Sequence, residues 1–415
     1  MASICILTGN HLCHNPRVIK EAGALSDAGF KVEVLGGWLN TELAERDLEL
    51  IESRKFTFTP VFKLVNRGQE ESFAGYWMRA QRWFGIRMHR WLRWENPGQL
   101  GYGIQKLEAA ARTRRADLYI AHSEPGLWVA KRLRRLGFRI AVDMEDWFSE
   151  DLLPEARRQR PLKLLRSLEQ DLLRTSVHTS CTSQAMSEAL AQEFGCRPPT
   201  VISNAFAWAE RRNLDGTFKD RRDRKLPSIH WYSQTLGQGR GLEDLLGVLV
   251  HLNHRAEIHL RGKPANGFEN WLTTHVPDTW RERIFIHDLV PNHELLSRIA
   301  EHDIGFAGEM KYCRSRELTV TNKILHYLLA GLGVVASDTA GQREIAAKAD
   351  GAVLLYRSGD AASLAERLDE LLGRPDRLAQ AKASALRAAE QTFCWEKYVS
   401  KLLRSVEKAL CAPNR

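Results

Sequence analysis

The chain has 415 residues, enough for two domains with cores of their own. A net charge of +9, from 60 Lys and Arg against 51 Asp and Glu, favours anionic partners without choosing among phosphates, nucleic acid and lipid headgroups. Seven cysteines, an odd number with no Cys-x-x-Cys pair, argue against a disulfide framework or a zinc knuckle and fit a reducing cytoplasm.

The opening "MASICILTGN" has no basic stretch ahead of its short apolar run, so no signal peptide is expected. "SICIL", "KVEVL", "DLYIA", "RIAVD" and "TVIS" read as buried strands in the first half; "IHWYS", "AEIHL", "RIFIH", "DIGFA", "GVVAS" and "AVLL" do so in the second. Helical spacing falls between them, at Asn15–Ala28, Gly241–Leu252, Asn292–Ala300 and Asn322–Ala330. Strands that are apolar almost throughout and alternate with helices predict parallel sheets covered on both faces, an α/β class. The rhythm breaks once, at the charged stretch Ala207–Pro227. The predicted organisation is therefore a doubly wound domain over 1–206, a linker over 207–227 and a second doubly wound domain over 228–390. A ligand cleft is expected between the domains, at the carboxyl ends of their strands. The longest apolar run, Leu328–Ala336, is too short and too glycine-rich to span a bilayer.

Candidate site residues follow the strands. After "SICIL" a loop through Gly9 and Asn10 leads to a helix with Asn15 as N-cap and Pro16 at its first position, a natural anion seat. Arg17 in the first turn would add positive charge. In "VDMEDWFSED" the acids Asp143, Glu145 and Asp146 crowd the end of a strand, where catalytic acids and bases of α/β proteins sit. His122 ends the preceding strand. In the second half, Gly239, Arg240 and Gly241 in "YSQTLGQGRGLEDLL" let backbone approach a ligand and place a cation where a diphosphate would lie. Glu317, Asn322, Lys323 and His326 gather at the front of an otherwise apolar helix, with Lys323 and His326 on one face. Each has a plainer structural reading: connector loop, solvated acids, helix cap or packed histidine. No HExxH, GxSxG, P-loop or DxD stands in the chain, so no bound cation and no cofactor is expected; charge on a leaving group would be met by Arg, Lys and helix N-termini.

"NPRVIKEAGALSDAGFKVEVL", "GRGLEDLL", "TNKILHYLLAGLGVVASDTAGQREI" and "FCWEKYVSKLL" resemble, in this order over nearly the whole chain, the GT4-type retaining glycosyltransferases of GT-B fold. The resemblance implies two Rossmann-like domains facing a central cleft, the first binding the acceptor and the second a nucleotide-diphosphate sugar (UDP or GDP). A last helix within 391–415 would pack back on the first. Arg240 stands where the family's diphosphate contact is usually lysine, and His326 where it usually has a ribose-binding glutamate. Glu317 matches an earlier family glutamate one position out of register. Glu309 and Glu317 have the family's E-x7-E spacing but precede the helix, so that spacing is set aside. Glu145 stands at the family's first-domain histidine, beside retained Asp143 and Asp146.

By this resemblance Arg240 and Lys323, with Gly9 and Asn10, would hold the diphosphate. Gly239, Gly241, Asn322 and His326 would meet nucleotide or sugar, and Glu317 would orient sugar hydroxyls. Arg17, His122 and Asp143 would stand on the acceptor side with Glu145 and Asp146, one of which would act as base if the reaction inverted. The expected activity is a metal-independent hexosyl transfer to a glycan acceptor in surface polysaccharide or glycolipid synthesis. Alternatives are a nucleotide-sugar epimerase of the same fold and a degenerate sugar-nucleotide-binding protein.

"YWMRAQRWFGIRMHRWLRWENP" (76–97) sets Trp77, Trp83, Trp91 and Trp94 on one broad helical arc beside a basic flank, with Arg87 intruding on the arc. Tryptophan with arginine suits an anionic membrane interface. The chain would then be cytoplasmic and peripheral at the inner face of the cytoplasmic membrane, meeting a lipid-linked acceptor. A core helix with solvated arginines fits the pattern equally. A nucleic-acid groove does not, because the residues form one local helix.

Overall fold

The computed structural model describes residues 1–64, 73–223, 225–239 and 241–413. The chain divides into two compact units: Met1–Thr182, Met186–Ile202 and Val399–Arg415 form the first, and Ser183–Ala185 and Ser203–Tyr398 the second.

The first unit is built on a seven-stranded parallel sheet in the order β3-β2-β1-β4-β5-β6-β7. The strands are β1 (Ser3–Leu7), β2 (Lys31–Trp38), β3 (Thr57–Lys63), β4 (Leu118–Ala121), β5 (Ile140–Met144), β6 (His178–Cys181) and β7 (Thr200–Val201). Ile4, Ile6 and Leu7 of β1 are buried among Val32, Val34, Leu118 and Ile120, as the near-continuous apolar runs predict. The helix Pro16–Asp27 starts as expected: the Asn15 side chain accepts from the Val18 amide and Pro16 opens the helix.

The second unit has a six-stranded parallel sheet, β10-β9-β8-β11-β12-β13. Its strands are β8 (Ser228–Leu236), β9 (Glu257–Pro264), β10 (Ile284–His287), β11 (Ile304–Ala307), β12 (Gly333–Ser337) and β13 (Val353–Tyr356). Phe306 and Val335 face one apolar cluster, while Ala307, Val334 and Ala336 face another, so both faces of the sheet are covered. Together the two parallel sheets make the α/β, Rossmann-like architecture that the strand pattern implies.

The stretch 207–227 belongs to the second unit. Trp208–Asn213 forms a 3-10 helix, and Arg211 Nη1 donates to the Leu329 carbonyl at the end of helix Asn322–Ala330. Low apolar content hid this seat, which rests on charged side chains reaching backbone and acids: Arg221 reaches Asp303 at 2.8 Å. The last helix, Trp395–Cys411, buries Leu402, Val406 and Ala409, and its residues from Val399 onward count with the first unit, where Arg139 Nε donates to the Ala412 carbonyl at 3.0 Å.

In each sheet the chain order reverses once, between β1 and β4 in the first and between β8 and β11 in the second. Loops leaving neighbouring strands there diverge to opposite faces and open a crevice at the carboxyl edge, which is where doubly wound sheets bind ligands.

Candidate active site

At the switch point of the first unit, β1 runs out into Gly9 and Asn10 and β4 into His122 and Ser123. The Gly9 amide donates to Ser123 Oγ at 3.1 Å, tying the two loops. Gly9 has no room for a side chain, since a Cβ there would lie 2.3 Å from Pro125 Cγ. Ser123 opens the helix Ser123–Arg135 with a left-handed φ of 61°, a strained choice for a non-glycine residue and a frequent mark of ligand sites. Gly9, Asn10 and Ser123 line a cavity of about 310 Å³.

Several charged candidates lie below this rim, already satisfied. Arg17 is 5% exposed and grips Asp143 through Nε–Oδ1 at 2.7 Å and Nη2–Oδ2 at 2.6 Å, while its Nη1 donates to the Ile202 carbonyl. Asp143 also accepts from Ser180 Oγ at 2.6 Å. Burial alone would raise the Asp143 pKa; the charges of Arg17 and then His122 outweigh it and hold it at about 2. His122 is fully buried and meets Glu21 Oε2 at 2.5 Å. Burial pushes its pKa down, but Glu21 more than compensates, with help from Asp143 and Glu145, and brings it to about 9. Arg17, Asp143 and His122, which the resemblance put on the acceptor side, are thus buried and paired within the unit.

Glu145 and Asp146, in the loop after β5, are half-buried. Glu145 accepts from Asn15 Nδ2 at 3.2 Å, and burial raises its pKa.

One described group has metal-ligand geometry: His11, Cys13 and Asp47. Its atoms are engaged with one another and with backbone. His11 Nδ1 lies 2.9 Å from Asp47 Oδ2, and its Nε2 accepts from the Leu39 and Asn40 amides at 2.8 and 3.2 Å. Burial, and then the hydrogen bond to Asp47, push the Cys13 thiol up to about 12. The cluster is a polar knot that ties the β1 and β2 loops together.

At the switch point of the second unit, β8 leads into Gly239 and Gly241, and β11 into Gly308 and Glu309. Gly239 and Gly241 have φ of +78° and +80°, and a Cβ on Gly241 would lie 2.3 Å from the Gly308 carbonyl oxygen. Gly239 N donates to Glu243. Arg240, the expected diphosphate contact, lies outside the described residues. Lys323 Nζ donates to Glu309 Oε1 at 3.2 Å and lies 5.5 Å from the ring centre of the fully buried Trp231. The Glu309 amide in turn donates to Ser337 Oγ at the end of β12. Glu317 accepts from the Ala340 amide at 3.1 Å and lies 3.6 Å from Arg343 and 3.9 Å from Lys311. Lys323, Glu309 and the glycine loop are thus brought to one edge of the sheet. Glu309, set aside in the sequence because its E-x7-E spacing to Glu317 precedes the helix, is the partner of Lys323 here.

His326 and Asn322 are placed otherwise than expected. His326 is 6% exposed, stacks on Phe206 with ring centres 3.7 Å apart, and pairs through Nδ1 with Tyr232 Oη at 2.9 Å. It packs as a core residue, where the resemblance implied a ribose contact. Asn322 is exposed at the first helical position, and Thr321 is the N-cap.

The helix Phe73–Leu92 buries a narrow stripe of Gly75, Met78, Gly85 and His89. The aromatic arc points outward: Trp77, Trp83 and Trp91 are 59%, 60% and 65% exposed. Arg87 lies 5.2 Å over Trp83 and 4.3 Å over Trp91. The helix ends at Leu92, and Arg93 turns left-handed at φ 53°, so Trp94 stands beyond the helix, also exposed. Among the described residues no helix is long and apolar enough to cross a membrane.

Residues 15–205 match the glycosyl transferase 4-like domain. No curated protein matches the chain in sequence. Among solved structures, the chain is similar to Anabaena HepE in complex with UDP-glucose, at 15% identity and TM-score 0.69 over 98% of this chain and 100% of that one. Sucrose-phosphate synthase from Thermosynechococcus elongatus is similar at 13% identity and TM-score 0.71, over 99% and 100%. A UDP-forming α,α-trehalose-phosphate synthase from Burkholderia xenovorans is similar at 15% identity and TM-score 0.68, over 99% and 100%.

Proposed function

We propose that this chain, a GT4-type glycosyltransferase of GT-B fold, moves a sugar with retention from a nucleotide-diphosphate sugar to a hydroxyl of a lipid-linked glycan acceptor at the inner face of the cytoplasmic membrane. The observation that carries the donor reading is the meeting of Lys323 and Glu309 beside Gly241, at the switch point of the second sheet. UDP is favoured as the donor's nucleotide because Anabaena HepE, of like fold, is seen with UDP-glucose.

In the retaining reaction the acceptor hydroxyl attacks the anomeric carbon from the face that the diphosphate leaves. The bond from that carbon to the phosphate oxygen breaks, the bond to the acceptor oxygen forms, and the acceptor's proton passes to the departing phosphate. No side-chain base is required, which suits a first unit whose Asp143 is spent on Arg17. The protein supplies position and charge. Lys323 and Arg240 stabilise the diphosphate, Glu309 aims the Lys323 ammonium, and Glu317 orients sugar hydroxyls. Glu145 and Asp146 orient the acceptor.

Membrane docking is carried by the exposed tryptophans of helix Phe73–Leu92 with the arginines among them. A contiguous aromatic surface of this kind is costly in water and suits an anionic bilayer interface. The partner assigned to it is the headgroup layer of such a bilayer.

The test is a thermal-shift screen of the full chain against UDP, GDP, ADP, CMP and dTDP, with Arg240→Ala and Lys323→Ala alongside. One nucleotide raises Tm by mass action, and both variants lose the effect. No shift with any nucleotide at millimolar concentration refutes the donor site. The anomeric configuration of the product, read by NMR, tests retention.

A further inference from the structure

The cavity at the first sheet's switch point contains more positive charge than a neutral sugar requires. Arg82, from helix Phe73–Leu92, and Arg160 both line it, and Glu124 is the only carboxylate among its lining residues. Arg82 is held in place: its Nη1 donates to the Gln99 carbonyl at 3.2 Å and its guanidinium lies 4.9 Å over the Tyr102 ring. Arg160 pairs with Glu124, yet its Nε is buried without a hydrogen-bond partner. Burial, and then the positive charge of Arg82, push the Arg160 pKa down, so two like charges are held together in a partly dry pocket. Keeping two cations against one anion there costs free energy. That cost is recovered when an oxyanion enters.

We propose that this cavity binds the acceptor through a phosphate group, held by Arg82 and Arg160 at the mouth of helix Ser123–Arg135. The proposal rests on the glycosyl-transfer reading for the word acceptor; the anion site itself stands on the two arginines. Two guanidinium forks approaching from different elements fit the several oxygens of a phosphate ester, and the thirteen-residue helix Ser123–Arg135 adds the positive end of its dipole. Phe148 and Leu39 supply apolar wall for the group attached to the phosphate. A soluble sugar phosphate and a phosphate on a membrane lipid share this chemistry.

The experiment separates the two sources. The full chain is titrated calorimetrically with glucose 6-phosphate, and is floated with phosphatidylcholine vesicles with and without farnesyl diphosphate, so that the diphosphate is the only net charge on the bilayer and its contribution is read as the difference. Arg82→Gln and Arg160→Gln each weaken the probe that binds about tenfold, the scale of one charged hydrogen bond. Glu124→Gln tightens it several-fold by removing the competing anion. UDP affinity is unchanged in all three. Whichever probe responds names the source. If R160Q does not fold, R160K, which keeps the charge, binds the probe and R82Q decides. Binding that survives both glutamine substitutions overturns the proposal, as does binding lost in Lys323→Ala, which would place the phosphate in the donor site. Absence of binding to either probe in a chain that binds UDP overturns it as well. Arginine-dependent phosphate binding in a chain that binds no nucleotide keeps the anion site and removes the transferase reading.

Discussion

Arg17 and Asp143 form a two-pronged ion pair inside the first unit, with contacts of 2.7 and 2.6 Å between residues 126 positions apart in sequence. The pair joins the first turn of helix Pro16–Asp27 to the end of β5. Neither side chain is exposed enough to be screened by water. Removing one partner leaves the other charged and buried. Arg17→Ala is expected to lower unfolding free energy by about 3–5 kcal/mol, measured by urea denaturation. The double variant Arg17→Met, Asp143→Leu should recover much of that loss. A loss below about 1 kcal/mol in the single variant would mean that water reaches the pair.

The His122–Glu21 contact sets a pH window. The folded pKa of His122, about 9, lies above its ordinary 6.5. The folded state therefore holds the proton more tightly, and the stabilisation is complete below pH 6.5 and lost as pH rises through 9. Glu169, pushed up to about 7 by burial, loses stability in the same direction but mostly below that point. Denaturation series between pH 7 and 9.5 should show a fall of roughly 3 kcal/mol from His122, removed in His122→Gln. A flat profile in the native chain contradicts the charged pair.

His326 provides the sharpest test of a family position read by structure. Its ring stacks on Phe206 and bonds Tyr232, so His326→Ala should cost about 2–4 kcal/mol of stability. UDP affinity, measured by calorimetry on the folded variant, should stay within about twofold. A tenfold loss of affinity would return His326 to the ribose.

The exposed arc predicts membrane binding that is separable from folding. Trp77→Ser, Trp83→Ser and Trp91→Ser combined should change Tm little, because these side chains are more than half exposed. Flotation with phosphatidylglycerol vesicles should weaken roughly tenfold per tryptophan removed. Unchanged flotation assigns the arc to some other partner.

Strands such as β1 and β12 were legible because "SICIL" and "GVVAS" are short, apolar and bounded by turns. β3 was not, since Pro60 interrupts it, and β6, His178–Cys181, has no apolar run to mark it. The glycines at 239 and 241 were legible because backbone conformation is a local property. The fate of charged residues was not. Arg17 and His122 sit where ligand-binding cations sit, and only the distant partners Asp143 and Glu21 show that they are spent. The helix Phe73–Leu92 inverts the usual rule: its aromatic arc faces out and its glycines face in, because the close seat of Gly85 on Asn96 leaves no room for anything larger. Arg160 carried no signal at all, since its meaning depends on Arg82 lying near it.

The knot around His11 has a consequence for how ligands are chosen. Asn10 and Leu39 both line the first-unit cavity, and each is tied down beside His11: Leu39 donates its amide to the imidazole Nε2, and Asn10, the residue before His11, accepts the Gly37 amide on its carbonyl. With Asp47 holding Nδ1, the Leu39 wall cannot swing without breaking its bond to an imidazole that is itself fixed. On this side the cavity is a mould rather than a hand. It selects by shape and charge already in place, and a guest that does not fit finds no loop to make room for it.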